Sequence, residues 1–499
     1  MAGKLLSIDM TRPARPDFVQ GSPAAPLYEV AQRVTPAWME RLALLGVLLV
    51  IFAAFLYRLD SVIISDMDEG TYLYAGKLLA QGELPYRDFL LAHPPAIVLL
   101  TGGWERLFGS EIMPARIAYL VVILVSTVPL YAITRTLARS ALVALVSVAT
   151  YTAGMILLAN MGRTIRLEPV MNAFVIGAFA CYVYRPNSQR ARGLVGALLA
   201  IAILVKLVAI IPAALLLLGD LLWVRPERRF VRMWAVAACG AAVILIPAAA
   251  LLLSQPGFVD DVLRSQLDRP GLPLQTRLYY LWQDCVRYPL IPAALVAAAW
   301  FLRRARDPRA RVISLVALGG TLALVSLFRT FFGYYLVQIL PWMAVVFALA
   351  VGLTVEWLGR RWSRVVLVAG TLLLAGAVPL LYSEVYYRKA HDHVSSPAQI
   401  IPELRTGRGY LYTMYPSFAL WSGRELYPWY FAADSLVARL TNRIGDEDFV
   451  RVFSGCEALV LWPDELVAYP AAQAYVESHF RIAYQDSYYT LWTRSGTES

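Results

Sequence analysis

Long apolar runs, alternately bounded by short arginine-rich stretches, recur between residues 42 and 382 and leave this chain few ways to fold. A helix that crosses a bilayer needs roughly 17–25 mostly apolar residues, and about eleven runs can be drawn on that criterion. They lie near 42–58, 115–134, 141–158, 169–184, 193–206, 207–224, 233–253, 288–302, 312–328, 334–354 and 364–382. The stretch 94–108 is apolar but short and carries Glu105 and Arg106, so it reads as a re-entrant or interfacial helix, with a full span as the rival. Only 16% of the 499 residues are charged, against about a quarter in a soluble domain.

The basic residues orient these runs. Clusters at 135–139, 185–192, 225–232, 303–311 and 360–364 fall on one side, which the positive-inside rule makes the cytoplasm. The net charge of +10 is confined largely to these loops, so it encodes topology and is not a nucleic-acid footprint. Residues 1–40 lack a cleavable-signal pattern and read as a disordered cytoplasmic tail ahead of an uncleaved anchor. An odd number of spans then puts residues 383–499 outside, as do the segment 59–93, Asn160–Arg166, Lys206, the 254–287 loop and 329–333.

The fold expected is thus an α-helical polytopic membrane protein: a membrane domain over 41–382 with a first outer loop at 59–93, and a small extracytoplasmic α/β domain over 383–499. In the latter, β-type runs at Gly409–Tyr415, Ala458–Trp462 and Tyr488–Thr493 alternate with helical stretches at Ala432–Ile444 and Ala468–Phe480. No internal repeat stands out. Cys181, Cys239, Cys285 and Cys456 have no paired spacing, so neither a zinc site nor a disulfide framework is indicated.

Chemistry concentrates in the first outer loop. Asp66, Asp68 and Glu69 precede Tyr72, then come Tyr86, Asp88 and His93-Pro94-Pro95. Acids at a helix start also serve as caps and complement the helix dipole. A carboxylate at a membrane face can equally act as a general base toward an attacking hydroxyl. Three carboxylates within four residues also admit Mg²⁺ or Mn²⁺, although no metal is required by the pattern. Arg163, Arg166 with Glu168, Lys206 and Arg329 all lie on the outer side, against the topological bias. Snorkelling accounts for many such cations singly; together they suit a lipid-linked phosphate. Tyr334, Tyr335 and Gln338 follow Arg329 and complete the candidate substrate-binding set with Tyr72, Tyr86, His93 and Glu168. The aromatic stretch Tyr410–Tyr430 and the pair His391/His393 read more simply as domain core and linker. The 254–287 loop reads either as an amphipathic cover over the site or as a segment meeting lipid headgroups.

These residues resemble the membrane-embedded glycosyltransferases of the GT-C fold, in the branch of the protein O-mannosyltransferases and the lipid A aminoarabinose transferases. The resemblance rests on Asp68-Glu69-Gly-x-Tyr, Gly82-x-x-Pro85-Tyr86-x-Asp88, His93-Pro94-Pro95, Phe108-Gly109, Arg116, Arg163-x-x-Arg166-x-Glu168-Pro169, Lys206 and Tyr334-Tyr335 through Pro341, in that order over about residues 40–350. It implies a polyprenyl-phosphate-sugar donor and catalysis in the first outer loop, with Asp68 carried over as the candidate base and Glu69 beside it. Read from the residues themselves, Asp66, which the family pattern does not require, and Asp88 are candidate second acids, and Arg163, Arg166, Lys206 and Arg329 are candidates for the donor phosphate. One displacement by an activated hydroxyl of a glycan, lipid or protein acceptor would invert the anomeric centre, and the setting expected is the outer face of a bacterial plasma membrane. Ala92-His93 stands where aminoarabinose transferases have Glu-Lys, which argues against a lipid A acceptor. The alternative is a transporter or flippase of a lipid-linked saccharide, which calls for ionisable groups near mid-span and paired broken helices.

Overall fold

A computed structural model describes residues 36–59, 67–159, 163–224, 227–328, 331, 333–357 and 360–496. The amino-terminal tail, Asp66 and Arg329 lie outside these residues. Helices follow in the order α1 (Ala37–Leu56), α2 (Met67–Ala80), α3 (Ala96–Phe108), α4 (Ile112–Ala138), α5 (Ala141–Ala159), α6 (Leu167–Tyr184), α7 (Gln189–Val205), α8 (Ile210–Trp223) and α9 (Glu227–Leu253). Then come α10 (Ser265–Asp268), α11 (Leu274–Arg287), α12 (Leu290–Arg304), α13 (Pro308–Leu327), α14 (Leu340–Trp357), α15 (Arg360–Leu372) and α16 (Val378–Thr406).

Among the described residues, eight helical segments are long and apolar enough to cross a membrane, or nine if the bent pair α11–α12 counts as one. The protein is a multi-pass membrane protein. Eight of the eleven expected spans correspond to these segments. The other three are shorter: α7 has 17 residues, α8 14 and α12 15. Lys206 explains part of the difference. Its extended backbone (φ −154°, ψ 126°) breaks the helix after Val205, and a 3₁₀ turn over Leu207–Ala209 leads into α8. With 13 residues, α3 is too short to cross, at about 1.5 Å of rise per residue against a core of about 30 Å.

Helix α5 is the hub, with 78% of its span window buried, whereas the α1 window is 28% buried and the α9 window 11%. The α9 segment turns most of its apolar surface outward, as a lipid-facing helix does. Its contact with α7 is made by small residues. A Cβ on Gly196 would lie 1.8 Å from the Ala237 carbonyl oxygen, and one on Gly240 would lie 2.0 Å from that of Gly193. Close backbone approach of this kind is how helices associate where burial from water offers no driving force.

The carboxy-terminal domain contains β1 (Tyr410–Thr413), α17 (Ser417–Ser422), α18 (Ser435–Leu440), α19 (Asp446–Ser454), β2 (Cys456–Leu461), α20 (Pro470–His479), β3 (Phe480–Gln485) and β4 (Thr490–Arg494). The sheet order is β1-β2-β4-β3, with β1 parallel to β2 and the other pairs antiparallel. Strand β3 alternates poorly, with one buried residue followed by mostly exposed ones, which hides it in the sequence. Helix α16 runs unbroken through residue 382 to Thr406. All four cysteines are free.

This domain sits on α2. A Cβ at Gly70 would fall 2.5 Å from both the amide nitrogen and Oγ of Ser417, so α17 reaches α2 only because residue 70 is glycine. Further along the helix, the Leu426 amide donates to Tyr74 Oη (3.0 Å) and Lys77 pairs with Glu425 (2.7 Å).

Candidate functional site

Asp68 and Glu69 occupy the first turn of α2, and adjacent helical residues point about 100° apart. They therefore do different things. Glu69 turns inward and is 1% exposed. Its carboxylate accepts from Arg116 Nε (2.8 Å) and Nη2 (2.5 Å) and from the Ile165 amide (3.1 Å). Arg116 also donates to the Leu59 carbonyl (3.3 Å). Arg163, equally buried, donates to the Tyr57 carbonyl (2.7 Å). Glu69, Arg116 and Arg163 thus form a buried frame that joins α2 to α4, to the end of α1 and to the segment before α6.

Asp68 turns outward, with 41% of its side chain exposed. Its Oδ2 lies 3.6 Å from Arg166 Nη1. Tyr119 fixes the Arg166 backbone, accepting from its amide (3.0 Å) and donating to its carbonyl. The guanidinium lies 4.8 Å from the centre of the Tyr334 ring. Burial pushes the Tyr334 phenol well above its ordinary range, with Tyr335 and Asp68 adding to it, so the group stays protonated.

Beside this pair, Lys206 Nζ meets Glu168 at 2.5 Å and lies 5.3 Å from the Tyr335 ring centre. The helix break that prevented a continuous span is what delivers this lysine. Asn172 donates to the Val337 carbonyl (2.8 Å) and holds the 3₁₀ turn Gly333–Gln338 against α6. Gln338 is buried, and neither of its amide atoms has a hydrogen-bond partner among the described residues.

His93 closes another edge. Tyr86 Oη donates to its carbonyl (2.7 Å), and Gln266 Nε2 donates to the preceding Ala92 carbonyl (2.9 Å). Its ring stands edge-on to Tyr72 at 5.9 Å. Burial, then Lys206 and Arg269, hold the imidazole well below its usual range and so neutral. Asp88 serves its own loop, where it accepts from the Leu84 amide (2.8 Å) and pairs with Arg87 (2.6 Å).

Asp68, Arg166, Glu168, Lys206, Tyr334 and Tyr335 therefore stand together, with His93 and Tyr72 alongside and Gln338 below. Glu69 and Arg163 belong to the frame behind them, and Tyr86 and Asp88 to the loop that carries His93. Among the described residues no three His, Cys, Asp or Glu side chains gather in a metal-binding arrangement.

Two groups near the site escape a reading of the sequence. Arg269 has a buried Nε without a hydrogen-bond partner among the described residues, and its charge acts on both His93 and Asp434. The only local signal is its place before Pro270-Gly271. Asp434 of the carboxy-terminal domain caps α18 by accepting from the Val437 amide (3.3 Å). Burial pushes its carboxyl up to about 7, with Asp68 and Asp261 adding to the rise and Arg269 opposing it. Only the docking of that domain brings it here.

A shallow apolar depression between α5, α12 and α14 is lined by Gly154, Leu158, Tyr288, Ile291, Leu340 and Met343 among others. Leu340 and Met343 directly follow the Tyr334–Gln338 turn in the chain.

The helical membrane domain with its small carboxy-terminal sheet domain has the GT-C fold, shared with solved structures over nearly the whole chain. The structure resembles ArnT from Cupriavidus metallidurans bound to undecaprenyl phosphate, with a TM-score of 0.67 at 16% identity over 93% of this chain and 99% of that one. It also resembles the oligosaccharyltransferase of Archaeoglobus fulgidus in its apo form (TM-score 0.53, 10% identity, 93% and 76% covered). The oligosaccharyltransferase AglB from the same organism, in complex with an inhibitory peptide and a dolichol-phosphate, gives 0.52 at 10% identity, covering 93% and 75%. Residues 92–253 match the profile of the dolichyl-phosphate-mannose-protein mannosyltransferase family. No curated protein matches by sequence.

Proposed function

We propose that this protein is an integral-membrane glycosyltransferase that moves a sugar from a polyprenyl-phosphate donor to an acceptor hydroxyl at the outer membrane face. The observation that carries the reading is the open Asp68 carboxylate beside the cations Arg166 and Lys206. Asp68 takes the acceptor proton as its oxygen attacks the anomeric carbon. The bond from that carbon to the phosphate oxygen breaks, and polyprenyl phosphate leaves. A single displacement inverts the anomeric centre. Arg166, Lys206 and Arg269 stabilise the leaving phosphate, since charge-assisted contacts are the strong ones and act where charge develops.

The solved relatives support a lipid-linked donor, because ArnT was captured with undecaprenyl phosphate and AglB with a dolichol-phosphate. The acceptor is a glycan, lipid or protein, and the setting a bacterial plasma membrane with the outer domain extracytoplasmic. No nucleic acid takes part. Asp66 and Arg329 keep their proposed parts as second acid and phosphate ligand, and a divalent ion stays an optional addition near Asp66.

Proteoliposomes given labelled polyprenyl-phosphate sugars and a membrane extract as acceptor test this. Label leaving the lipid for a new glycoside supports it. A labelled lipid that crosses the bilayer intact sinks it and favours a flippase.

A further inference from the structure

The outer loop between α9 and α12 contains one helix, α11, that the proposed reaction does not use. Its 14 residues bend by 103° into α12, so if α12 crosses the membrane α11 lies nearly in the plane of its surface. Leu274, Leu278, Trp282 and Val286 recur every four residues, and each is 49–62% exposed. They form a stripe on one face of the helix.

The opposite face is fixed to the protein. Arg277 Nη1 donates to the carbonyls of Val325 (2.8 Å), Ser326 (3.0 Å) and Phe328 (2.9 Å), capping the outer end of α13. Asp284 is buried against Gly333, where a Cβ would come within 2.0 Å of its Oδ2. This attachment ties α11 to the end of α13, a helix long and apolar enough to cross a membrane, and so sets the depth of α11. The exposed apolar side chains continue onto Leu327 at the end of α13 and onto Val296 and Trp300 of α12.

We infer that α11 is a bilayer-surface helix whose Leu274–Leu278–Trp282–Val286 stripe inserts among the lipids of the outer leaflet. A cover over the site would present its apolar face to the protein, and this face points away. An in-plane helix with leucine and tryptophan on one side and polar anchors on the other has the composition of an interfacial helix. Through Asp284 and Gly333 it touches the start of the turn that carries Tyr334 and Tyr335.

Photocrosslinking in bilayer nanodiscs tests this on the full chain. Benzoylphenylalanine replaces Leu278, Trp282 or, as a polar position on the same arc, Gln275. Val296 of α12 is the membrane reference, and Val467 of the outer domain, 73% exposed, is the aqueous reference. Phospholipid adducts at 278 and 282 should match those at 296 and exceed those at 467 by about tenfold or more, as insertion into the acyl boundary requires. Yields at 278, 282 and 275 no higher than at 467 would overturn the inference. So would adducts with a second protein chain in place of lipid.

Discussion

The Asp68 carboxylate lies 3.6 Å from the Arg166 guanidinium and stays open to solvent, while Glu69, its neighbour in the chain, is enclosed with Arg116. Two adjacent acids of one motif have thus been separated into an open carboxylate and an enclosed one by a single step of helix rotation.

Glu69→Gln should therefore unfold more than it inactivates. Removing one partner of a buried ion pair costs about 3–5 kcal/mol because the other charge stays behind, here Arg116 at 0% side-chain exposure. Thermal unfolding in detergent checks this: a Tm close to wild type with activity lost would instead give Glu69 a catalytic part.

Arg269→Ala should do the reverse. Its guanidinium Nε has no hydrogen-bond partner to lose among the described residues. A charge-assisted contact to a phosphate is worth about 1.5–3 kcal/mol, so the donor KM should rise by roughly 10- to 150-fold. Tm should not move. An unchanged KM would remove Arg269 from the donor site.

Little of this division was legible in the sequence. The apolar runs located α4, α5, α6 and α13 to within a few residues, because a span must be continuous to satisfy its own backbone. The α7–α8 break at Lys206 was visible only as a lysine between two runs, and its partner Glu168 lies 38 residues earlier in the chain. Asp68-Glu69 read as a pair because a motif carries no rotation. Asp434 reaches the site only through the docking of the carboxy-terminal domain on Gly70, a contact that local pattern does not encode.

That docking is itself testable. Gly70→Ala drives a Cβ into Ser417, and overpacking of this kind costs about 1–3 kcal/mol. Amide exchange should accelerate in the 410–426 segment ahead of the membrane helices. Protection equal to wild type would contradict the contact.

Burial pushes Asp434 and Glu465 both up to about 7. The native state then holds protons that the unfolded chain, with ordinary carboxyls, gives up near pH 4. Stability from this source is complete below that pH, falls as pH rises, and is gone above about 7. Asp434→Asn keeps a capping side chain and removes the titration. Its Tm advantage over wild type should grow from pH 4 to pH 8 and stay level beyond; an advantage independent of pH would contradict the assignment.

The central claim is that Asp68 activates the acceptor. The most direct measurement compares wild type with Asp68→Asn in one bilayer preparation, following both binding and turnover of a polyprenyl-phosphate sugar. Loss of a general base should lower kcat by about 10²- to 10⁴-fold, with donor affinity and Tm retained. Turnover by Asp68→Asn at the wild-type rate would contradict the account.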